Sequence, residues 1–307
     1  MSSRITTSMV QRNILADLNA VNAKLNRSQE QAASGKQITR PSDDPFATSQ
    51  AMALRGDLEG TRQQQRNAQD AQGWMDAAEQ SLSSMTEAVR RARDLLVQGG
   101  SDSSDPTARE AIAGELEQIL KGIKQDANAT YRGSYVFAGA MTSTAPYDVD
   151  GTDAYAGDQA GLDPAVPGIV REIGPGVSMA INVVGQEVLG DGQGSDTKLL
   201  ATLRNAIDHL RSGDGPSLRG ADLTDLDTNL DSLLEVRARN GARSNRVDSA
   251  LDRLGQVEQS SVSQLSEVED ADMAQTLIDL SSQSAAYQAA LRAGASIVQS
   301  SLLDFLR

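Results

Sequence analysis

Ile14-Leu15-Ala16-Asp17-Leu18-Asn19-Ala20-Val21-Asn22-Ala23-Lys24-Leu25-Asn26-Arg27-Ser28 sets apolar or small residues at 14, 18, 21, 25 and 28, and Ala32 continues the row. Steps of four and three are the spacing of a coiled-coil seam. One amphipathic helix is therefore predicted over roughly residues 8 to 34. The far end of the chain repeats the pattern through Leu277, Leu280, Ser284, Tyr287, Leu291, Gly294, Val298, Leu302 and Phe305. A seam that runs to a terminus needs a surface to dock on, because free ends fray. The other terminus is the natural one. Residues 1–40 carry six Lys/Arg against two Asp/Glu, and residues 261–307 carry six Asp/Glu against two Arg.

Moving inward, Ser34-Gly35 suits a left-handed helix end, and Pro41-Ser42-Asp43-Asp44-Pro45 forces a non-helical link. Asp43 or Asp44 can cap the next helix, with Pro45 in its first turn. That helix is predicted to reach about Gln98 through Met75, Ala78, Leu82, Met85, Val89, Ala92 and Leu96, before Gly99-Gly100. A third helix follows through Ile112, Leu116, Ile119, Ile123 and Ala127. Helical spacing resumes at Leu199, Leu203, Ile207 and Leu210. It breaks at Gly213 to Pro216 and returns through Leu223, Leu226, Leu230, Leu233, Val247, Leu251, Leu254 and Val257.

Between these halves the period changes. Residues 139–195 hold 11 of the 26 glycines and eight Asp/Glu against one Arg, half of the chain's net charge of -14. Short β-branched runs near Gly168 to Glu172 and Val177 to Val184 predict strands there. The expected fold is mainly α: a long-helix bundle of paired N- and C-terminal segments with a small β-rich insert in the middle of the chain. Its parts are a terminal assembly module (1–44 and 261–307), a helical body (45–138 and 196–260) and a variable insert (139–195).

Composition narrows the function classes. The 307 residues contain no cysteine, which excludes disulfides, thiolate metal sites and cysteine nucleophiles. The acidic balance repels nucleic acid and anionic membrane surfaces. No window of about 18 consecutive apolar residues and no apolar leader core is visible, so neither a membrane span nor a cleavable signal peptide is expected. The single histidine, His209, reads as a packing or surface residue beside Leu210. Asp148-Val149-Asp150-Gly151-Thr152-Asp153 has its Gly too early and Gln159 where a calcium loop needs Glu, so it reads as a solvated acidic loop. Gly190 to Lys198 lacks the Gly-Lys-Ser/Thr ending of a phosphate loop and reads as a linker with Ser195 or Asp196 as helix cap. Arg90, Arg91 and Arg93 are interleaved with Glu87 and Asp94 and have no aromatic neighbours, as on a solvated or subunit-contacting face. No enzyme and no cofactor are expected.

Several strings carry a resemblance. They are Arg4-Ile5-Thr6-Thr7-Ser8-Met9, Ala33-Ser34-Gly35-Lys36-Gln37-Ile38, Pro41-Ser42-Asp43-Asp44-Pro45, Tyr131 to Gly139, the acidic Glu267 to Ala274 read as a helix motif, and Ser301 to Leu306. Together they resemble the flagellin superfamily over roughly residues 1–140 and 245–307. Pro41 and Pro45 around Ser-Asp-Asp are similar to its hook-filament junction branch, where flagellins proper have Asp-Asp-Ala without the prolines. Met273 departs from the aromatic frequent in the family.

The resemblance implies a structural ring subunit of the bacterial flagellum. It implies export through the flagellar type III channel, unfolded and uncleaved, to an extracellular place between hook and filament. Implied partners are other copies of itself, a hook-side junction protein, flagellin, and an export chaperone on the C-terminal helix. Assembly contacts are expected at Ile14, Leu18, Val21, Leu25, Leu280, Tyr287, Leu291, Val298, Leu302 and Phe305. A flagellin-type filament subunit and a cytosolic coiled-coil adaptor are the alternative expectations.

Overall fold

The computed structural model describes residues 7–101, 105–162, 166–192 and 196–305, with backbone alone at 7, 8, 10, 11 and 296–305. Eight α-helices run in the order α1 (Thr7–Ser34), α2 (Pro45–Gly99), α3 (Pro106–Ala127), α4 (Gly185–Leu189), α5 (Leu199–Ser212), α6 (Gly215–Ser217), α7 (Leu223–Glu269) and α8 (Met273–Phe305). A π-helical turn, Leu218–Asp222, leads into α7. Four short strands lie between α3 and α4: β1 (Thr130–Tyr131), β2 (Ser134–Tyr135), β3 (Val170–Gly174) and β4 (Val177–Ala180). Among the described residues no helix is long and apolar enough to cross a membrane. Contacts divide the chain into one unit of residues 1–60 with 257–307 and another of residues 61–256.

In the larger unit the predicted periodicity of α2 becomes the core. Met75, Ala78, Leu82, Met85, Val89, Ala92 and Leu96 are all buried, together with Leu116 and Ile123 of α3, Leu203 and Leu210 of α5, and Leu226, Leu233 and Val247 of α7. Alanines at 68, 71, 78 and 92 let neighbouring elements approach closely, which suits a chain poor in aromatics. Val257, predicted to continue the α7 row, is exposed instead. The helix ends follow local chemistry. Asp105 caps α3 by accepting the Ala108 N–H at 2.6 Å, with Pro106 in its first turn. Gly213 ends α5 in the left-handed region.

The β-rich segment shares this core through Val136, Phe137, Tyr147, Ile173, Met179 and Ile181. β1 and β2 form a tight antiparallel hairpin whose two central residues, Arg132 and Gly133, both have positive φ. That is the signature of the turn whose twist matches paired strands. β3 and β4 pair antiparallel with an irregularity between Glu172 and Gly174. Tyr131 meets Trp74, the chain's one tryptophan, edge to face at 6.3 Å.

The smaller unit is an antiparallel pair of α1 and α8 joined to the first turns of α2 and the last of α7. Gly35, at φ +69°, ends α1. The two links then zip together: Gln37 N–H donates to the Glu269 carbonyl at 2.8 Å and Ala271 N–H to the Gly35 carbonyl at 2.9 Å. This bridge interrupts the segment Glu267 to Ala274, which the sequence presents as one acidic helix motif. Asp270 and Ala271 leave the helix to pair with the other link, and Asp272 restarts it by accepting the Ala274 and Gln275 N–H groups at 2.9 and 3.2 Å. At the other end of the pair Gly294 lies against α1, where an added Cβ would come 3.4 Å from Ile14 Cγ2 and 3.8 Å from Leu18 Cδ1. Alanine just fits there and removes the helix cost of glycine, so Gly294→Ala is expected to stabilise the pair by up to ~1 kcal/mol. Gly294→Leu overpacks the contact and is expected to cost roughly 1–3 kcal/mol. Thermal melts of the full chain monitored by helical circular dichroism give both values.

Candidate assembly surface

The α1–α8 pair is held by a narrow stripe. On α1, Ile14, Leu18, Val21 and Leu25 are half-buried and Ser28 is buried, while residues around them are exposed. On α8 the less exposed positions are Thr276, Leu280, Gln283, Ser284, Tyr287, Ala290 and Gly294. All but Ser284 fall in two rows with a seven-residue repeat, as in a coiled coil. Leu277 and Leu291, which the sequence reading set in that stripe, instead face outward at 54% and 44% exposure. The reason is that α8 is apolar or small nearly all round, so several rows fit a period of three and four. The register is fixed by Gly294, the small residue that seats beneath Ile14 and Leu18. Val298, Leu302 and Phe305 lie on the helical backbone of α8, and their side chains fall outside the described residues.

The link Pro41-Ser42-Asp43-Asp44-Pro45 is built from its two carboxylates. Asp43 accepts the Arg40 N–H at 3.1 Å and the Thr39 hydroxyl at 3.2 Å, closing a turn. Asp44 accepts the Phe46 and Ala47 N–H groups, both at 3.0 Å, and so caps α2. Burial pushes the Asp43 carboxyl up, but its hydrogen bonds from Arg40 and Thr39 and the Arg27 charge outweigh this and hold it below the usual range. Opposite charge between the chain ends is realised at Glu269, whose nearly buried carboxylate takes both Lys36 at 3.0 Å and Arg55.

This unit exposes large apolar side chains that its own fold does not use. Besides Leu277 and Leu291 they include Met273 and Ile278 of α8, Leu15 of α1, and Phe46 and Met52 of α2. Large exposed apolar patches on a folded unit mark contacts with other proteins. Phe46, Met52 and Ile278 escape a search for periodic seams because each stands off the repeating row. Phe46 does carry one signal, being one of only three phenylalanines in the chain.

The other motifs serve packing. His209 Nδ1 lies 2.7 Å from Asp222 Oδ2, tying the end of α5 to the π turn. Arg90, Arg91 and Arg93 pair with Glu87, Glu115 and Asp227. Lys198, not Ser195 or Asp196, holds the cap position of α5. Asp196 instead accepts the Asp191 N–H at 2.7 Å, and Ser195 lies outside the described residues. Among the described residues no group of three or more His, Cys, Asp or Glu is placed to hold a metal.

The acidic loop 148–153 is occupied by a cation of the chain itself. The ammonium of Lys124, on α3, donates to the carbonyls of Asp148, Gly151 and Thr152 at 2.9, 3.2 and 3.2 Å and sits 2.6 Å from Asp153 Oδ1. Arg204 of α5 pairs with the same carboxylate. Burial raises the Asp153 pKa, and the bonds and charges of Arg204 and Lys124 more than reverse that, leaving it lowered. A lowered folded-state pKa stabilises the fold above the ordinary Asp value of about 3.9, and that stability is lost as pH falls through the folded value. Asp153→Asn is therefore expected to be less stable than the parent at pH 7 and to lose less stability between about pH 4 and pH 2, measured by urea unfolding across that range.

Comparison with known proteins agrees with the terminal architecture. The profile of the bacterial flagellin N-terminal helical region matches residues 5–142, and that of the bacterial flagellin C-terminal helical region matches residues 223–306. Flagellar hook-associated protein 3 of Salmonella typhimurium is 29% identical over 82% of this chain and 83% of its own length. Its counterpart in Escherichia coli is 27% identical over 94% and 95%. The crystal structure of Bacillus cereus FlgL superposes with a TM-score of 0.58 at 21% identity, covering 70% of this chain and 99% of that one, so the fold is shared. With both helical ends matched across well over half its length, the chain belongs to the flagellin family.

Proposed function

We propose that this protein is a structural, non-catalytic subunit of the bacterial flagellum that joins hook to filament as a ring of copies. The observation that carries the reading is the exposed apolar surface of the terminal pair, Leu15, Met273, Leu277, Ile278 and Leu291, beside a larger unit with a complete core. The relatives named hook-associated protein 3 support it, at 29% and 27% identity over 82% and 94% of the chain. Its partners are other copies of itself, a hook-side junction protein below and flagellin above, with an export chaperone covering the C-terminal helix before assembly. Its place is outside the cell, reached through the flagellar type III pathway.

Stoichiometry tests the reading against a filament subunit. Immunogold labelling of sheared flagella is expected to mark this chain at the hook-proximal end only. Labelling along the filament would make it a flagellin.

A further inference from the structure

We infer that α2 and α7 are built to bend where the chain passes from one compact unit to the other, at Gly56 and Gly60 on α2 and at Gly255 on α7. The bend belongs to the single chain and does not depend on what that chain assembles with.

Both helices run unbroken through the division, which falls after Gly60 on α2 and before Val257 on α7. Glycine inside a helix is destabilising relative to alanine, so three of them within four residues of the division need a reason. The two usual reasons fail. None of the three has a positive φ. No neighbour keeps them small either, since a Cβ added at any of them would meet nothing within 4 Å. The other two glycines of α2 differ in this, because Gly73 lies against the Tyr131 ring and Gly99 against the Leu210 side chain. What remains is backbone freedom, and glycine together with serine is where helices kink. On α7, Ser260, Ser261, Ser263 and Ser266 follow Gly255.

Position sets these glycines apart from others in open space. Gly114, Gly122 and Gly241 are equally uncrowded, but each lies between residues of the hydrophobic core: Ala113 and Leu116, Leu120 and Ile123, Val236 and Val247. Among the described residues that core begins on α2 at Ala68 and ends on α7 at Ala250. From Gly255 to Val268 no residue of α7 is buried. Core packing therefore clamps the three inner glycines and leaves the other three beyond its ends. A joint there lets the α1–α8 pair take the direction its surroundings impose while the larger unit keeps its own fold.

The chain has no cysteine, so introduced thiols can carry spin labels without background. Full-length protein with Asn19→Cys on α1 and Asn245→Cys on α7, both exposed positions, is labelled with nitroxides, and pulsed electron resonance reads the distribution of distances between them. Two sets of replacements are compared on it: Gly56→Ala, Gly60→Ala and Gly255→Ala together, and Gly114→Ala, Gly122→Ala and Gly241→Ala together. All six alanines have room. Each is expected to slow exchange of nearby backbone amides by roughly fivefold, through alanine's greater helix propensity. Only the set at the division is expected to narrow a distance distribution that is broad in the parent. An equal effect of the two sets, no effect of either, or a distribution already narrow in the parent would overturn the bend.

Discussion

Lys124→Met is expected to destabilise the unit of residues 61–256 by roughly 3–5 kcal/mol, the range for removing one member of a buried ion pair. Methionine keeps the aliphatic stem, so the change isolates the ammonium. The side chain is fully buried. Its loss strips three carbonyl oxygens of their donor and leaves Asp153 with Arg204 alone. Loop 148–153 is then tied to α3 by Lys121, whose ammonium donates to Asp150 Oδ1 at 2.8 Å, with Asn128 holding the preceding Tyr147 by donating to its carbonyl at 2.7 Å and accepting its N–H at 3.0 Å. Domains of this size are stable by only about 5–15 kcal/mol, so the variant is expected to unfold at a markedly lower urea concentration. Emission of the buried Trp74 follows the transition in this unit alone. A loss below about 1 kcal/mol would show that the ammonium is replaceable by packing, as some buried ion pairs are.

Leu291→Asp is expected to abolish incorporation while leaving the chain folded. Leu291 is 44% exposed on the side of α8 away from the stripe that meets α1, so a carboxylate there meets water in the free subunit. Burial against another subunit would remove that water and cost several kcal/mol unless a cation is supplied. Each 1.4 kcal/mol is tenfold in affinity, so a hundredfold or greater defect in ring assembly follows. Leu280→Asp is the control, because Leu280 is half-buried in the α1–α8 stripe and its loss should melt the pair itself. Circular dichroism separates the two variants, and motility with electron microscopy reads assembly. Normal filaments on Leu291→Asp cells would place the docking face elsewhere.

The sequence was most informative where a helix is amphipathic. The α2 row from Met75 to Leu96 is buried as its spacing requires, and the Asp44-Pro45 start of α2 follows from capping chemistry alone. The strands at Val170 and Val177 were visible as β-branched runs between glycines and prolines. Legibility failed where alternatives are nearly equal in local terms. The nearly all-apolar face of α8 admits several seams, and Gly294 against Ile14 decides between them only in three dimensions. The break at Asp270 depends on Lys36, more than two hundred residues away. Lys124 looks in sequence like any helix-surface cation. Its burial is set by a loop that must first fold back on α3, although an acidic loop lacking a proper metal-ligand pattern is the feature that invites a search for such a cation.

The hook-filament junction role is tested most directly by electron microscopy of a strain lacking this chain, together with assay of its culture medium for filament protein. A junction subunit predicts bare hooks and filament protein lost to the medium. Intact filaments on the hooks of that strain would contradict it.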